Sequence, residues 1–234
     1  MQLRICTDPD SVAQEAAIWI AAAARAAIAA RGRFVIAVSG GRTPWLMLRA
    51  LWREDVPWEG LHIVQVDERI APAGNPDRNL THLYESLLGH TALRQDQVHG
   101  MRVEDSDSEL AAEQYSLMLH RIAGSPPVLD LVHLGLGSDG HTASLIPGDP
   151  VLRVLDKDVA ITGMYKGRRR MTLTYPVLNR SRQVLWLVTG HDKAEMLRRL
   201  LAGDMSIPAG SVRRQDALIL ADRGAADEAC VPTK

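Results

Sequence analysis

The segment 135–144 contains the residue types with the clearest chemistry in this chain of 234 residues. It reads Gly-Leu-Gly-Ser-Asp-Gly-His-Thr-Ala-Ser, so His141 shares one loop with Asp139 and three glycines. An imidazole with its usual pKa of ~6.5 can accept a proton at neutral pH. We therefore interpret His141 as a general base. The alternative is a histidine that only forms hydrogen bonds within its loop. That interpretation is more typical of a histidine without an aspartate and several glycines beside it.

Two further polar segments follow apolar runs that are typical of buried strands. The first is Ser39-Gly40-Gly41-Arg42-Thr43, whose glycines and hydroxyls before a predicted helix suit a phosphate group. Taken alone, a tight strand-to-helix turn is the favoured interpretation of these glycines. The second is Asp67-Glu68-Arg69, which places two carboxylates beside a guanidinium. Taken alone, it is better explained as a solvated strand end with a surface ion pair.

Residue spacing disfavours serine-nucleophile and metal chemistry. Ser144 lacks the Gly-x-Ser-x-Gly elbow of serine hydrolases, so Thr142 and Ser144 are predicted to cap a following helical turn. The histidines His62, His133 and His141 lack the i, i+4 spacing of helical metal ligands. We expect no metal and no other cofactor.

The composition argues against several classes of function. Lys and Arg number 27 against 28 for Asp and Glu, and the net charge of −1 provides no general attraction for nucleic acid or an anionic membrane. Cys6 and Cys230 lie far apart in the chain and suggest neither a disulfide framework nor a zinc site. Asp8 and Asp10 argue against a secretory signal, and the alanine-rich stretch 16–30 is predicted to be a helix with a buried face. We expect a cytoplasmic protein.

Strand-like and helix-like patterns alternate along the chain. Strands are predicted at residues 34–38, 61–66, 129–134, 171–174, 183–188 and 217–220. Helices are predicted from Asp8-Pro9 to Gly32, after Thr43-Pro44, and over residues 79–88, 108–122 and 192–201. This alternation predicts one α/β domain, residues 1–234, with a mainly parallel, Rossmann-like sheet. The sheet is predicted to begin at Phe34 and to have helices on both faces, which makes a three-layer αβα sandwich. Ligands of such sheets bind beyond the carboxyl ends of the strands.

Six segments, taken in order, resemble the 6-phosphogluconolactonase family within the wider glucosamine-6-phosphate isomerase/deaminase superfamily. They are residues 39–44, 67–69 with 76–79, 134–148, 170–174, 190–194 and 208–213. The similarity spans nearly the whole chain, and the segment that contains His141 is its most specific part. The resemblance implies a glucosamine-6-phosphate deaminase-like fold. It also implies hydrolysis of 6-phospho-D-glucono-1,5-lactone to 6-phospho-D-gluconate in the oxidative pentose phosphate pathway.

The same resemblance implies catalytic roles for three residues. His141 would deprotonate the water that attacks the lactone carbonyl, while Asp67 and Asp139 would orient the polar network. The phosphate and the developing negative charge would be held by cationic side chains, together with the segment 39–43. These cations are Arg69, Arg170 and Lys193.

Two positions and one short segment depart from the pattern that is usual in the family. Positions 42 and 78, usually serine, are Arg42 and Arg78, and Lys166-Gly167-Arg168 stands where a pair of prolines is usual. These changes add positive charge near the expected anion site or remove rigidity beside it. We hypothesise that Arg42 replaces the missing serine as a phosphate ligand.

Two other functions compete with lactone hydrolysis. Deamination of an amino-sugar phosphate resembles a mechanism that needs a glutamate five residues after the histidine, and Ile146 occupies that position here. A sugar-phosphate sensor would carry a DNA-binding segment ahead of the domain, whereas one helix alone is predicted before Phe34. We therefore expect a monomeric or weakly dimeric enzyme that acts on a small sugar-phosphate lactone.

Overall fold

The computed structural model describes residues 1–226 as strands that alternate with helices. The strands are β1 (Gln2–Cys6), β2 (Phe34–Val38), β3 (Leu61–Gln65), β4 (Asp67–Arg69), β5 (Val98–His99), β6 (Leu131–Gly135), β7 (Val159–Ile161), β8 (Arg170–Leu173), β9 (Gln183–Val188) and β10 (Ala217–Asp222). The helices are α1 (Pro9–Arg31), α2 (Arg42–Leu51), α3 (Asn79–Ser86), α4 (Ser108–Ala123), α5 (Tyr175–Arg180) and α6 (Ala194–Ala202).

The described residues form a parallel sheet between two helical layers. Its strand order is β1-β10-β9-β6-β2-β3-β5, and each neighbouring pair runs parallel. Successive residues of β2 point to opposite faces, so Val35 packs with α4 and Ile36 packs with α1. Two apolar cores result, one on each face of the sheet. The predicted three-layer α/β fold is confirmed.

Helix α1 shows how local sequence sets the bounds of an element. The side chain of Asp8 accepts a hydrogen bond from the N–H of Ser11, Pro9 begins the helix, and Gly32 ends it in the left-handed conformation at φ 73°. One face of the helix, which includes Val12 and Ile20, is buried against the sheet. The predicted start, stop and buried face are therefore confirmed. By length and apolar composition alone α1 would also suit a membrane span, as holds for many core helices.

Two features of the fold differ from the sequence-based expectation. The prediction that the sheet begins at Phe34 is wrong, because β1 pairs in parallel with β10 at one edge. This edge strand is largely exposed, so it lacks the continuous apolar run of a central strand. The predicted strand 171–174 belongs instead to a second, antiparallel sheet with the order β4-β8-β7.

The strand order also fixes where a ligand can bind. From β2 the chain moves outward through β3 to β5, then returns to the other side of β2 to form β6, β9 and β10. The connections that leave β2 and β6 therefore diverge and open a crevice at the carboxyl edge of the sheet. The segments 39–43 and 135–144 both begin at this point, and the small second sheet starts next to it, where β4 follows β3.

Candidate active site

A cleft of about 190 Å³ opens at this edge of the sheet. It is lined by Ser39, Gly40, Asp67, Arg69, Asn79, Gly135, Leu136, Gly137, His141, Ala143, Arg170 and Lys193. Seven predicted site residues therefore share one cavity, although they come from five separate parts of the chain. Asp139 lies behind His141, while Gly41, Arg42 and Thr43 do not line the cleft.

His141 and Asp139 form a hydrogen-bonded pair at the cleft wall. Nδ1 of His141 lies 2.5 Å from Oδ1 of Asp139, and this carboxylate also accepts the backbone N–H of His141. When Nδ1 carries the proton and donates it in the hydrogen bond to Asp139, the lone pair of the imidazole lies on Nε2. A Cβ atom at position 137 would lie 2.1 Å from Nδ1, so Gly137 is required for this packing. The pair has the geometry of an oriented general base.

The environment of Asp139 keeps its carboxylate ionised. Partial burial raises its pKa, but hydrogen bonds from His141 and Tyr165 and the charge of the imidazole outweigh burial, so the pKa lies below its usual value. The hydroxyl of Tyr165 donates to Oδ2 at 3.0 Å. Both oxygens of Asp139 therefore have a partner, and the carboxylate remains an acceptor at neutral pH.

Arg69 and Arg170 face each other across the antiparallel pair β4–β8, where their Cα atoms are in register. Burial, and to a smaller extent the charge of Arg69, lowers the pKa of Arg170, although Asp67 opposes the shift. Nε of both arginines is buried and has no hydrogen-bond partner in the described part of the chain. Two like charges opposite each other in the lining of one cleft make this pair a candidate anion site.

Asp67 lies at the centre of a polar network on the cleft floor. Its Oδ2 accepts a hydrogen bond from the hydroxyl of Ser144 at 2.6 Å, and Nδ2 of Asn79 donates to its backbone carbonyl at 2.9 Å. Oδ1 of Asn79 in turn accepts from Arg69 at 2.7 Å. The network fixes the arginine and shows that Ser144 does not act as a helix cap. Since a turn and not a helix follows Thr142, the capping prediction for both residues is wrong.

Glu68 is fully buried beneath this network. Its carboxylate accepts the backbone N–H groups of Asn79 and Leu80, and so caps the start of α3. Nε of Arg78 lies 3.1 Å from the same carboxylate, and a second Arg78 nitrogen contacts Glu104. The interpretation of residues 67–69 as a solvated surface pair is therefore wrong. Arg78 lies outside the cleft lining and supports the site through Glu68.

The segment 39–43 contributes to the cleft mainly through its first two residues. The backbone N–H and the hydroxyl of Ser39 bond to Nδ1 and the carbonyl of His133. A Cβ atom at position 40 would lie 1.8 Å from Oδ1 of Asn79, so Gly40 is required there. Thr43 instead bonds to Thr189 at 2.6 Å, and Arg42 is exposed at the start of α2.

His133 of β6 connects the site to the stability of the fold. Burial lowers its pKa to about 3, so between pH ~6.5 and about 3 the unfolded chain binds a proton here that the folded chain does not. The stability of the fold must therefore fall as the pH decreases through this window, by up to ~1.4 kcal/mol per pH unit for this residue. We expect His133→Asn, which keeps an acceptor for the Ser39 N–H, to flatten the pH dependence.

Urea unfolding of both proteins between pH 7 and pH 4.5 measures this effect. His191 is exposed, so His191→Asn is the control and should retain the wild-type pH slope. A wild-type slope in His133→Asn would show that His133 titrates normally in the folded protein.

Besides Gly135, Leu136 and Gly137 in the loop of His141, four residues that touch the site were not assigned to it from sequence. Ala143 lines the cleft with φ 51°, an unfavourable conformation for a residue that is not glycine. Tyr165 holds Asp139, and Asn79 and Ser144 hold Asp67. Asn79 and Ser144 lie inside two of the segments that carry the family resemblance, which is the signal that could have identified them. For Tyr165 the sequence gives no such signal.

These features together define a parallel α/β protein with a polar cleft at the carboxyl ends of its strands, where His141, held by Asp139, lies in the same lining as two arginines and a lysine. Within residues 1–226, no group of three or more His, Cys, Asp or Glu side chains is arranged to hold a metal ion. Residues 7–220 match the family described as glucosamine-6-phosphate isomerases/6-phosphogluconolactonase, and the chain belongs to this family.

Individual relatives agree with the predicted resemblance, which is confirmed. The chain is 34% identical over 225 residues to a 6-phosphogluconolactonase from Synechocystis sp., covering 93% of each sequence. Among solved structures, a 6-phosphogluconolactonase from Trypanosoma brucei superposes with a TM-score of 0.85 at 26% identity, covering 96% of this chain and 97% of the other. A monomeric glucosamine-6-phosphate deaminase gives 0.84 at 20% identity, covering 97% and 99%. The last likeness shows the shared fold alone.

Proposed function

We propose that this protein hydrolyses 6-phospho-D-glucono-1,5-lactone to 6-phospho-D-gluconate, the lactonase step of the oxidative pentose phosphate pathway. The observation that carries the proposal is the placement of His141, held by Asp139, in the same cleft as the buried Arg170 and the half-buried Arg69. The family membership and the names of the relatives support the same reaction.

The reaction requires one base and a fixed cluster of cations. Nε2 of His141 removes a proton from water as the water oxygen bonds to the lactone carbonyl carbon. The bond from this carbon to the ring oxygen then breaks, and the ring oxygen takes the proton from the imidazolium to become a hydroxyl group. The new carboxylic acid loses its proton to solvent. Asp139 stabilises the transient imidazolium, and a nearby cation stabilises the oxyanion of the tetrahedral intermediate.

The cations of the cleft give the site its selectivity for a phosphorylated substrate. Arg69 and Arg170 present planar donors that suit phosphate oxygens, and Lys193, whose Nζ lies 2.9 Å from Asp192, adds a point charge. Gly40 lies near the N-terminal end of α2, where the partial positive charge of the helix dipole also favours an anion. We retain Arg42 as a candidate phosphate ligand from the sequence, although it does not line the cleft.

The deaminase alternative is disfavoured by Ile146. This residue is buried and lies outside the cleft lining, so the position of the glutamate implied by the resemblance holds no proton-transferring group. The fold itself does not separate the two reactions, because a deaminase and a lactonase superpose on this chain about equally well.

A lactonase assay tests the proposed function directly. We expect the purified protein to open 6-phosphogluconolactone faster than its spontaneous hydrolysis, and to release no ammonia from glucosamine-6-phosphate. Deamination without lactonase activity would assign the rival reaction. Binding of the phosphorylated sugar acid without either turnover would indicate a sensor.

We also propose the organisation that the sequence predicted. Residues 1–234 would form one cytoplasmic domain that acts as a monomer or a weak homodimer, without a nucleic acid, a membrane or a cofactor as partner. The free thiol of Cys6, whose pKa is raised by burial, is compatible with a reducing compartment. Cys230 lies outside the described residues.

A further inference from the structure

We propose that Tyr165 is a positioning residue that couples the anion-binding Arg170 to the catalytic His141. Its hydroxyl donates to Oδ2 of Asp139 at 3.0 Å, while Oδ1 of Asp139 lies 2.5 Å from Nδ1 of His141. The ring of Tyr165 also lies 5.0 Å from the guanidinium carbon of Arg170. One side chain therefore contacts both the partner of the base and the cation of the phosphate site. This inference rests on the proposed function.

Tyr165 is held in place by a tight turn between β7 and β8. Its backbone N–H and carbonyl both bond to Arg168, at 2.9 and 3.2 Å, around Lys166 and Gly167. These two central residues have φ values of 50° and 79°, the left-handed geometry of a two-residue hairpin turn. Arg168 in turn donates to a carboxylate oxygen of Asp77 from Nε at 2.9 Å. The turn is thereby fixed to the loop that precedes α3.

The hydrogen bond from Tyr165 determines how Asp139 can hold the imidazole. The Asp139 side chain is 37% exposed, so without a partner its outer oxygen would be free to rotate into solvent. Burial and the hydrogen bond to Asp139 raise the pKa of Tyr165, so the phenol remains a donor at neutral pH. With both of its oxygens fixed, the carboxylate of Asp139 can hold the ring of His141 in one orientation. Nε2 of His141 then keeps a constant direction.

Two substitutions separate the hydroxyl of Tyr165 from its ring. Tyr165→Phe removes the hydrogen bond and keeps the ring beside Arg170. We expect kcat to fall about tenfold, the effect of losing one hydrogen bond to a charged group, with KM within about twofold of wild type. Tyr165→Leu also removes the ring, and we expect it to raise KM for the phosphorylated lactone about fivefold in addition.

A second readout does not depend on activity. Since the phenol stabilises the ionised carboxylate, Tyr165→Phe should raise the pKa of Asp139, measured by carboxyl ¹³C NMR titration of the free protein. Tyr84→Phe is the matched control, because Tyr84 is an exposed tyrosine outside the cleft. We expect it to change neither kcat nor the pKa of Asp139.

The outcomes distinguish the proposal from its premise. A wild-type kcat and an unchanged Asp139 titration in Tyr165→Phe would overturn the positioning role, and equal KM values in the two variants would remove Arg170 from it. If the wild-type protein itself lacks lactonase activity, the proposed function fails. In that case the NMR titration of Asp139 in Tyr165→Phe is the measurement that shows whether Tyr165 fixes the carboxylate.

Discussion

Replacing His141 by alanine lowers kcat for 6-phosphogluconolactone by about 10²–10⁴-fold, the usual contribution of a general base, and leaves KM nearly unchanged. The reason is that Nε2 of His141 is the proposed proton acceptor, while the arginines proposed to bind the anion do not depend on the imidazole for their position. The measurement is initial-rate kinetics with the spontaneous opening of the lactone subtracted. Thermal unfolding of the variant should resemble that of wild type, because His141 lies on a loop and is partly exposed.

His191→Ala is the matched control for this experiment. It removes an exposed imidazole at the same edge of the sheet, outside the cleft, and should retain wild-type kinetics. Full turnover by His141→Ala would show that another group activates water. A parallel loss of thermal stability would indicate that the histidine matters for folding instead of proton transfer.

The site residues that could be predicted are those whose neighbours in sequence reveal their role. His141 and Asp139 are two residues apart, and the same loop supplies the glycine that their packing requires. The position of the cleft also followed from sequence, since buried apolar strands followed by polar loops place those loops at one edge of a parallel sheet. Local patterns were sufficient for this part of the site.

Contacts that join distant parts of the chain could not be predicted in the same way. Ser144 and Asp67 are separated by 77 residues, and Tyr165 and Asp139 by 26. A serine after a glycine-rich turn resembles a helix cap when its distant partner is unknown, so the capping prediction followed from the local pattern. The hydrogen bond between Ser144 and Asp67 exists because β4 turns away from the parallel sheet to pair with β8.

Glu68 illustrates the same limit for charged residues. A carboxylate beside an arginine in sequence is typical of solvated strand ends, and burial of such a charge costs free energy unless it is paired. The structure supplies these partners from elsewhere in the chain, namely the first N–H groups of α3 and the guanidinium of Arg78. The arginine that departs from the family pattern at position 78 therefore compensates a buried charge.

Replacing Arg170 by methionine raises KM for the phosphorylated lactone by about 10–150-fold, since a hydrogen-bonded charge on an anion contributes ~1.5–3 kcal/mol. Methionine is chosen because it has a similar length and suits a largely buried position. We expect kcat to change much less than KM, because Arg170 does not contact the pair of His141 and Asp139 directly. Steady-state kinetics over a wide substrate range separates the two constants.

The same substitution should stabilise the free protein. The guanidinium of Arg170 is disfavoured mainly by its burial. The like charge of Arg69, opposite in register, adds to this effect, since such a pair across two strands is unfavourable by ~0.2–1 kcal/mol, and Asp67 offsets part of the total. Removal of the Arg170 guanidinium should therefore raise the melting temperature by about 1–3 °C for a chain of this size. Inorganic phosphate, by contrast, should raise the melting temperature of wild type more than that of Arg170→Met, because a ligand stabilises the protein to which it binds more tightly.

Arg42→Ser is the informative comparison for this prediction. Arg42 is exposed at the start of α2 and has no hydrogen bond or ion pair within residues 1–226, so we expect its loss to raise KM less than the loss of Arg170. The opposite order would place the phosphate at α2, as the sequence-based hypothesis for Arg42 requires. An anion site built from opposed arginines explains both expected effects of Arg170→Met. We expect the cost of the buried Arg170 charge in the free protein to be offset when the substrate phosphate binds to the two guanidinium groups.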